Sequence, residues 1–185
     1  MSITRFKAIT AGLCAALLAG CQSAPTNAGD DLPMARNAPA ACAGDFVART
    51  PLLTLAPTLA PDDLTDSKSA PLRFANTLSI GKPLARVARL THFDNGWSAL
   101  GLRLRSAGAK SISVHLAAAT LPPGTEVWLC APDGRVRQGP YREAVGGDVW
   151  TPVVPGDEAW LEVLFETRRS DAFKATLAEI YGGFR

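Results

Sequence analysis

The sequence SISVHL at residues 111–116 opens the stretch that decides the fold of this 185-residue chain, residues 111–166. Apolar and polar side chains alternate in it, which is the period-two pattern of a strand with one buried face. Two more strand patterns follow at residues 126–130 and 159–165, and turns rich in proline and glycine separate them. The pattern predicts an all-β fold, a two-sheet antiparallel sandwich of jelly-roll-like form.

Further strand patterns lie on both sides of this stretch. They fall at residues 72–80, 84–91, 97–105, 135–141 and 174–181. Residues 97–105 form the strongest of them, because their leucines share one face of an extended chain. Residues 135–141 fit a short edge strand. We therefore expect the sandwich domain to occupy residues 72–185.

Residues 21–71 have a different composition and are expected to form a tether and an arm. Small polar residues and proline follow Cys21, which suits a flexible spacer. Residues 46–64 are more apolar, and their three prolines block a long helix. We expect an irregular, extended arm that lies on the surface of the domain.

Residues 1–20 have the features of a bacterial lipoprotein signal peptide. Arg5 and Lys7 give a positive start, and the apolar segment that follows is too short to span a bilayer. The sequence LAGC that ends at Cys21 resembles the bacterial lipobox, in which the cysteine carries acyl chains such as palmitate. An ordinary secretory signal that ends in cysteine is the alternative. By the same resemblance, Gln22 points to lipid anchorage in the outer membrane, facing either the periplasm or the exterior.

The charge balance argues against a nucleic-acid partner. Arg5 and Lys7 are two of the 19 basic residues, so 17 basic and 17 acidic residues remain once the signal peptide is removed. A nucleic-acid site needs a basic patch, and the sequence shows no stripe of lysine and arginine.

The cysteines leave one pair available for a disulfide bond. Cys14 is removed with the signal peptide, and Cys21 carries the lipid. Cys42 and Cys130 then remain in an oxidising compartment, which predicts a bond between them. Two separately buried thiols are the alternative.

Three tryptophans fall outside the main apolar phase of their strands, namely Trp97, Trp128 and Trp160. One interpretation is an exposed aromatic face that binds a glycan or a protein, because large apolar patches mark interaction sites. The other is that the apolar arm at residues 46–64 packs over them.

The two histidines do not predict an active site. His92 lies two residues before Asp94, which could suggest a dyad, but a solvated turn histidine is the favoured interpretation. His115 is on the polar phase of its strand and is expected to be exposed. A metal site needs three or four converging ligands, and two histidines do not supply them. No cofactor fingerprint is present.

The glutamates of two strand patterns could pair across a cleft as glycosidase carboxylates do. They are Glu126, Glu158, Glu162 and Glu166. Their alternation with apolar residues favours a solvated acidic face instead. The sequence therefore predicts a protein that is not an enzyme.

A series of short motifs runs through residues 72–185. They are Gly96-Trp97, Ser106-Ala107-Gly108-Ala109, Leu121-Pro122-Pro123-Gly124, Asp133-Gly134, Gly139-Pro140, Trp150-Thr151-Pro152, Pro155-Gly156-Asp157-Glu158 and Tyr181-Gly182-Gly183-Phe184-Arg185. In this order and spacing they resemble the β-sandwich propeptide region that precedes the catalytic domain of bacterial lysyl-endopeptidase-like, trypsin-fold serine proteases.

The chain departs from that family in two ways. The given sequence ends at Arg185, whereas the proteases continue into their catalytic domain. It contains no Gly-Asp-Ser-Gly-Gly nucleophile motif. A lipobox also replaces their ordinary secretory signal. The resemblance implies a free-standing, membrane-anchored relative of the propeptide module, with no catalytic residue. Its expected role is to bind a protein, such as a secreted protease or another exported protein. Glycan binding through exposed tryptophans is the alternative.

Overall fold

The computed structural model describes residues 38–43, 46, 49–58 and 74–184. The predicted signal peptide, the lipidation residue Cys21 and most of the predicted tether lie outside these residues. Within the described part of the chain, no helix is long and apolar enough to cross a membrane.

The described residues form eleven strands, one short helix and a 3₁₀ helix. In chain order the strands are β1 (Leu52–Thr54), β2 (Ala75–Pro83), β3 (Arg89–His92), β4 (Trp97–Arg105), β5 (Ser111–Thr120), β6 (Glu126–Cys130), β7 (Arg137–Tyr141), β8 (Val149–Trp150), β9 (Val154–Pro155), β10 (Glu158–Glu166) and β11 (Lys174–Gly183). Helix α1 (Leu84–Val87) follows β2, and the 3₁₀ helix (Thr167–Ala172) follows β10.

The strands make two sheets that pack against each other. In sheet A, β4 pairs with β10 along one edge and with β1 and β3 in succession along the other; β6 and β7 continue the sheet beyond β10. In sheet B, β11 lies between β2 and β5, and β8 and β9 pair in succession with the far edge of β5. Strand β7 is the edge strand predicted from residues 135–141.

The core lies between the sheets, where the apolar faces predicted from alternation meet. It includes Leu100, Leu102 and Leu104 of β4, Ile112, Val114 and Leu116 of β5, Val127 and Leu129 of β6, Leu161, Val163 and Phe165 of β10, and Leu177 and Ile180 of β11. Each large apolar side chain buried in this way contributes about 1.5–3 kcal/mol relative to an exposed one. The predicted all-β, two-sheet sandwich is confirmed.

The strand predicted at residues 84–91 is wrong in its first half. Those residues begin with helix α1, a single turn closed by the Ala88 N–H, which donates to the Leu84 carbonyl at 2.8 Å. Pro83 precedes the turn with a fixed φ of −53°, which is compatible with the start of a helix. Alternation alone could not distinguish one turn from a strand, because the turn buries Leu84 alone.

The arm is more regular than predicted, because part of it joins sheet A as strand β1. This strand runs parallel to β4, so sheet A is mixed, whereas every other pairing between the described strands is antiparallel. Strand β3 pairs with β4 only as far as Gly101. Strand β1 then pairs with residues 103–105 of β4 and satisfies backbone groups that would otherwise form an open edge.

The arm also covers the outer face of sheet A. Ala41, Cys42 and Phe46 pack on the tryptophans of that face. Strand β4 has glycine at position 101, where a Cβ atom would lie 2.5 Å from Thr50 Cγ2. This glycine lets the arm approach the sheet closely.

The predicted aromatic face of Trp97, Trp128 and Trp160 is therefore covered rather than open. Trp97 is 5% exposed and Trp160 is 8% exposed, while Trp128 is partly buried against the same arm residues. The reason is that the arm is itself apolar and gains free energy by packing on these rings. Of the two interpretations of these tryptophans, the structure supports a covered face, but only Phe46 of the covering residues belongs to the predicted segment 46–64. The others, Ala38, Ala41 and Cys42, precede it.

Candidate functional site

The outer face of sheet B carries a row of functional side chains that crosses three strands. Glu179 of β11 is opposite His115 of β5, and His115 is opposite Trp150 of β8. Directly opposed residues of antiparallel strands point to the same side of a sheet. Strand alternation places Ser113 and Tyr181 beside the row, again directly opposite each other. The local sequence therefore builds one continuous polar and aromatic surface.

His115 lies at the centre of this surface and is held on both sides by carboxylates. Its Nε2 is 2.9 Å from Asp148 Oδ1, and its Nδ1 is 3.4 Å from Glu179 Oε2. The protonated ring can donate to both carboxylates at once, whereas the neutral ring can donate to only one. The side chain is 14% exposed, so the prediction that His115 is solvent-exposed is wrong. The neighbouring strands and Trp150 enclose the ring.

Trp150 is the exposed aromatic residue of the site. Its ring stacks on His115 with centroids 3.6 Å apart and planes 11° from parallel, and Tyr181 lies 6.0 Å away on the same face. The residue nevertheless remains 55% exposed. Because one ring face lies on His115, this exposure comes mainly from the opposite face of the ring. A tryptophan held in one orientation is the kind of side chain that anchors interfaces.

Glu179 and Tyr181 form a coupled pair beside the histidine. The Tyr181 hydroxyl donates a hydrogen bond to Glu179 Oε2, and this bond, with a smaller contribution from His115, lowers the pKa of Glu179. Burial and the Glu179 carboxylate raise the pKa of Tyr181 to about 12. At neutral pH the pair therefore presents a carboxylate and a neutral phenol.

The charged groups on the centre of this face are acidic apart from the histidine. Neither lysine nor arginine occurs in residues 111–120, 143–150 or 175–184. Asp148 and Glu179 each hold His115 through one oxygen. No hydrogen bond from the described residues reaches their other oxygens, Asp148 Oδ2 and Glu179 Oε1, which are free to accept hydrogen bonds from a ligand.

His92 does not form the dyad that its spacing to Asp94 could suggest. It lies on β3 rather than in the turn, and its Nδ1 is 2.8 Å from the hydroxyl of Ser98. A serine and a histidine at this distance are the start of a nucleophile–base pair. Ser98, however, is fully buried and also lies 2.8 Å from the Thr167 hydroxyl. Its oxygen cannot reach a substrate.

The solvated acidic face predicted from the four glutamates is wrong for Glu162 and Glu166, which are both buried. Glu166 accepts hydrogen bonds from Arg168 and Arg169. Burial on its own would raise the pKa of Glu166, but the two guanidinium groups outweigh burial and lower it. Glu162 is buried because the arm covers it.

Glu162 lies beside a disulfide bond between Cys42 and Cys130, whose Cα atoms are 5.8 Å apart. A carboxylate oxygen and both sulfur atoms lie within 4.8 Å of one another. The Cys42 N–H donates to Glu162 Oε2 at 2.7 Å, while Oε1 has no partner among the described residues. Since the two sulfur atoms are bonded to each other, this group offers no thiolate ligand for a metal ion.

Burial dominates the electrostatics of Glu162. The carboxyl is 1% exposed, and loss of hydration disfavours its charged form. Burial raises the pKa of Glu162 to about 7, although the Cys42 N–H opposes part of this shift. The group can therefore change its charge near neutral pH, at the place where the arm is bonded to the sheet.

Sequence reasoning missed most of the site on sheet B, namely Asp148, Trp150, Glu179 and Tyr181. A signal was available in Val149-Trp150, because Val149 is buried and its neighbour must then point outward. Asp148 had no signal of this kind, since its position depends on the loop before β8.

A scan of the chain against protein-family models finds no match, and a search of curated proteins finds no significant match.

Proposed function

We propose that this protein is a non-enzymatic outer-membrane lipoprotein that binds another exported protein through the outer face of sheet B. The observation that carries the proposal is the difference between the two outer faces. The arm and a disulfide bond cover the aromatic face of sheet A. The face of sheet B keeps Trp150 exposed and supported by His115.

The geometry of this face supports a role in binding better than a role in catalysis. Both nitrogens of His115 are occupied by carboxylates, so neither is available as a general base towards a substrate. Trp150 is fixed before a partner arrives, which reduces the entropy lost on binding. The exposed Val145 and Val153 precede and follow β8 and add apolar surface near it.

The partner that we propose is a secreted protease or another exported protein. This follows the resemblance of residues 72–185 to a propeptide module, because propeptides bind folded or folding proteases. The alternative role, glycan binding through exposed tryptophans, depended on Trp97, Trp128 and Trp160. Those rings are packed under the arm, so the proposal places the binding surface on the other sheet.

Lipid anchorage through Cys21 is tested by the variant Cys21→Ser. The expected result is release of the protein from the membrane fraction, because the acyl chains supply the membrane affinity. Fractionation followed by mass spectrometry of the N-terminal peptide measures both the location and the lipid. A wild-type N-terminal peptide without acyl mass, together with unchanged membrane association of the variant, would contradict the proposed anchor.

Binding through sheet B is tested by chemical crosslinking in intact cells that express the full-length, tagged protein. Crosslinked partners are identified by mass spectrometry for the wild type, Trp150→Ala and a control, Leu90→Ala. Leu90 is an exposed apolar residue of sheet A. We expect an exported protein to be recovered with the wild type and the control, and to be reduced several-fold with Trp150→Ala.

Two outcomes would overturn the binding proposal. One is that no exported protein is enriched with the wild type over cells that lack the tag. The other is that Trp150→Ala recovers the same protein in the same amount. Circular dichroism of each variant confirms that a loss of binding does not reflect a loss of fold.

A further inference from the structure

The outer face of sheet B also indicates the chemistry of its partner, if the proposed binding function is correct. We infer that the partner presents a lysine or arginine side chain, which packs on the open face of Trp150 and pairs with Asp148 and Glu179. The inference rests on the proposed function but can fail separately from it.

The charge of the site favours a cationic partner. Asp148 and Glu179 lie on opposite sides of His115, and no lysine or arginine occurs in residues 111–120, 143–150 or 175–184. On the neighbouring strand β2, Ser79 is the residue opposite Glu179, and Lys82 is opposite Leu177. If His115 is neutral, the site carries two negative charges; if it is protonated, one negative charge remains. The site therefore attracts a cation in either state, and complementary charge favours the correct partner.

The exposed ring of Trp150 also favours a cationic side chain. A cation is attracted to the face of an aromatic ring, and tryptophan is the strongest of the three aromatic residues in this respect. The ring of Trp150 has one face on His115 and one face open. A lysine or arginine side chain could lay its methylene groups on the indole while its charged end reaches a carboxylate.

The length of the row fits a single long side chain. Glu179, His115 and Trp150 lie on three adjacent strands, and neighbouring strands are about 4.8 Å apart, so the row is about 10 Å long. One long basic side chain spans much of that length. The free oxygens of Glu179 and Asp148 then lie within the same surface as the ring, so one side chain can contact the ring and a carboxylate together.

The inference is tested with fluorescent peptides and the full-length protein in detergent micelles. Three peptides of glycine and serine differ only at two adjacent central positions, which hold arginine, lysine or norleucine. Fluorescence anisotropy measures binding at low and at high salt. We expect the arginine and lysine peptides to bind and the norleucine peptide not to bind. Binding should weaken as the salt concentration rises.

Two neutral variants separate charge from packing. Glu179→Gln and Asp148→Asn should each weaken binding of the arginine peptide about two- to fivefold, as expected for a partly exposed ion pair. The matched control is Asp133→Asn, which removes an exposed carboxylate from the turn between β6 and β7 and should leave binding unchanged. Trp150→Leu should weaken binding by a similar factor, since it removes the cation–π contact.

Several results would overturn the inference. They are equal binding of the norleucine peptide, no binding of any peptide, or unchanged binding in both carboxylate variants. Stronger binding of cell-wall oligosaccharides than of basic peptides would show that the face binds glycans. If the crosslinked exported protein is lost with Trp150→Ala but retained with Glu179→Gln and Asp148→Asn, the proposed function stands and this inference fails.

Discussion

Replacement of both Cys42 and Cys130 by alanine is expected to lower the free energy of unfolding by up to about 4.5 kcal/mol. The disulfide bond joins residues that are 88 positions apart. It therefore closes a long loop, which lowers the entropy of the unfolded chain. Residual structure in the unfolded arm would reduce the effect. The midpoint of urea denaturation, at an unchanged slope, measures the change in free energy.

The same double variant should loosen the arm before it affects the sandwich. Trp97 and Trp160 lie beneath arm residues, so their fluorescence should shift to longer wavelength when the arm leaves. A protease should cut within residues 38–58 earlier than within residues 74–184. Wild-type protein reduced under native conditions serves as the control and should behave in the same way. An unchanged midpoint and an unchanged cleavage pattern would show that the bond does not hold the arm.

The variant Glu162→Gln is expected to remove a strong pH dependence of stability. The carboxyl has a pKa of about 7 in the folded protein, against 4.5 as its ordinary value. Between these pH values the folded state binds more protons than the unfolded state, so wild-type stability falls as pH rises from about 4.5 to about 7. The total loss is about 3 kcal/mol and is complete above pH 7.

Glutamine keeps an oxygen that can accept from the Cys42 N–H, but it carries no charge to bury. The variant should therefore resemble the wild type below pH 4.5 and be more stable than it at pH 8, by about 3 kcal/mol. Urea denaturation at pH 4 and pH 8 measures both values. Glu143→Gln, at an exposed position, is the control and should track the wild type. If Glu162→Gln changes the free energy of unfolding by the same amount at pH 4 and at pH 8, the charge of Glu162 does not determine the pH dependence of stability.

The sandwich was predictable because its strands bury one face each. Alternation in residues 97–105 and 126–130 predicts the bounds of β4 and β6 and identifies the core residues that they contribute. The pairing of Cys42 with Cys130 was also predicted, because the other two cysteines were assigned to the signal peptide and the lipid. The strands follow from the local alternation of apolar and polar residues, and the disulfide bond follows from the number of available cysteines. Neither prediction requires knowledge of contacts between distant residues.

The exposure of the polar faces could not be predicted in the same way. Alternation shows which residues share a face, but it does not show whether another segment covers that face. Trp160 and Trp150 both lie on outer faces of the sandwich, yet only Trp160 is covered by the arm. The buried position of Glu162 has the same cause. The partial enclosure of His115 depends on contacts between three strands.

Photocrosslinking in cells tests whether the outer face of sheet B is the binding surface. A photoreactive amino acid is placed at Ser113, beside the row of Glu179, His115 and Trp150, or at Leu90 on sheet A. The proposed function predicts an adduct with an exported protein from position 113 and little or none from position 90. No adduct from position 113, or equal adducts from both positions, would contradict it.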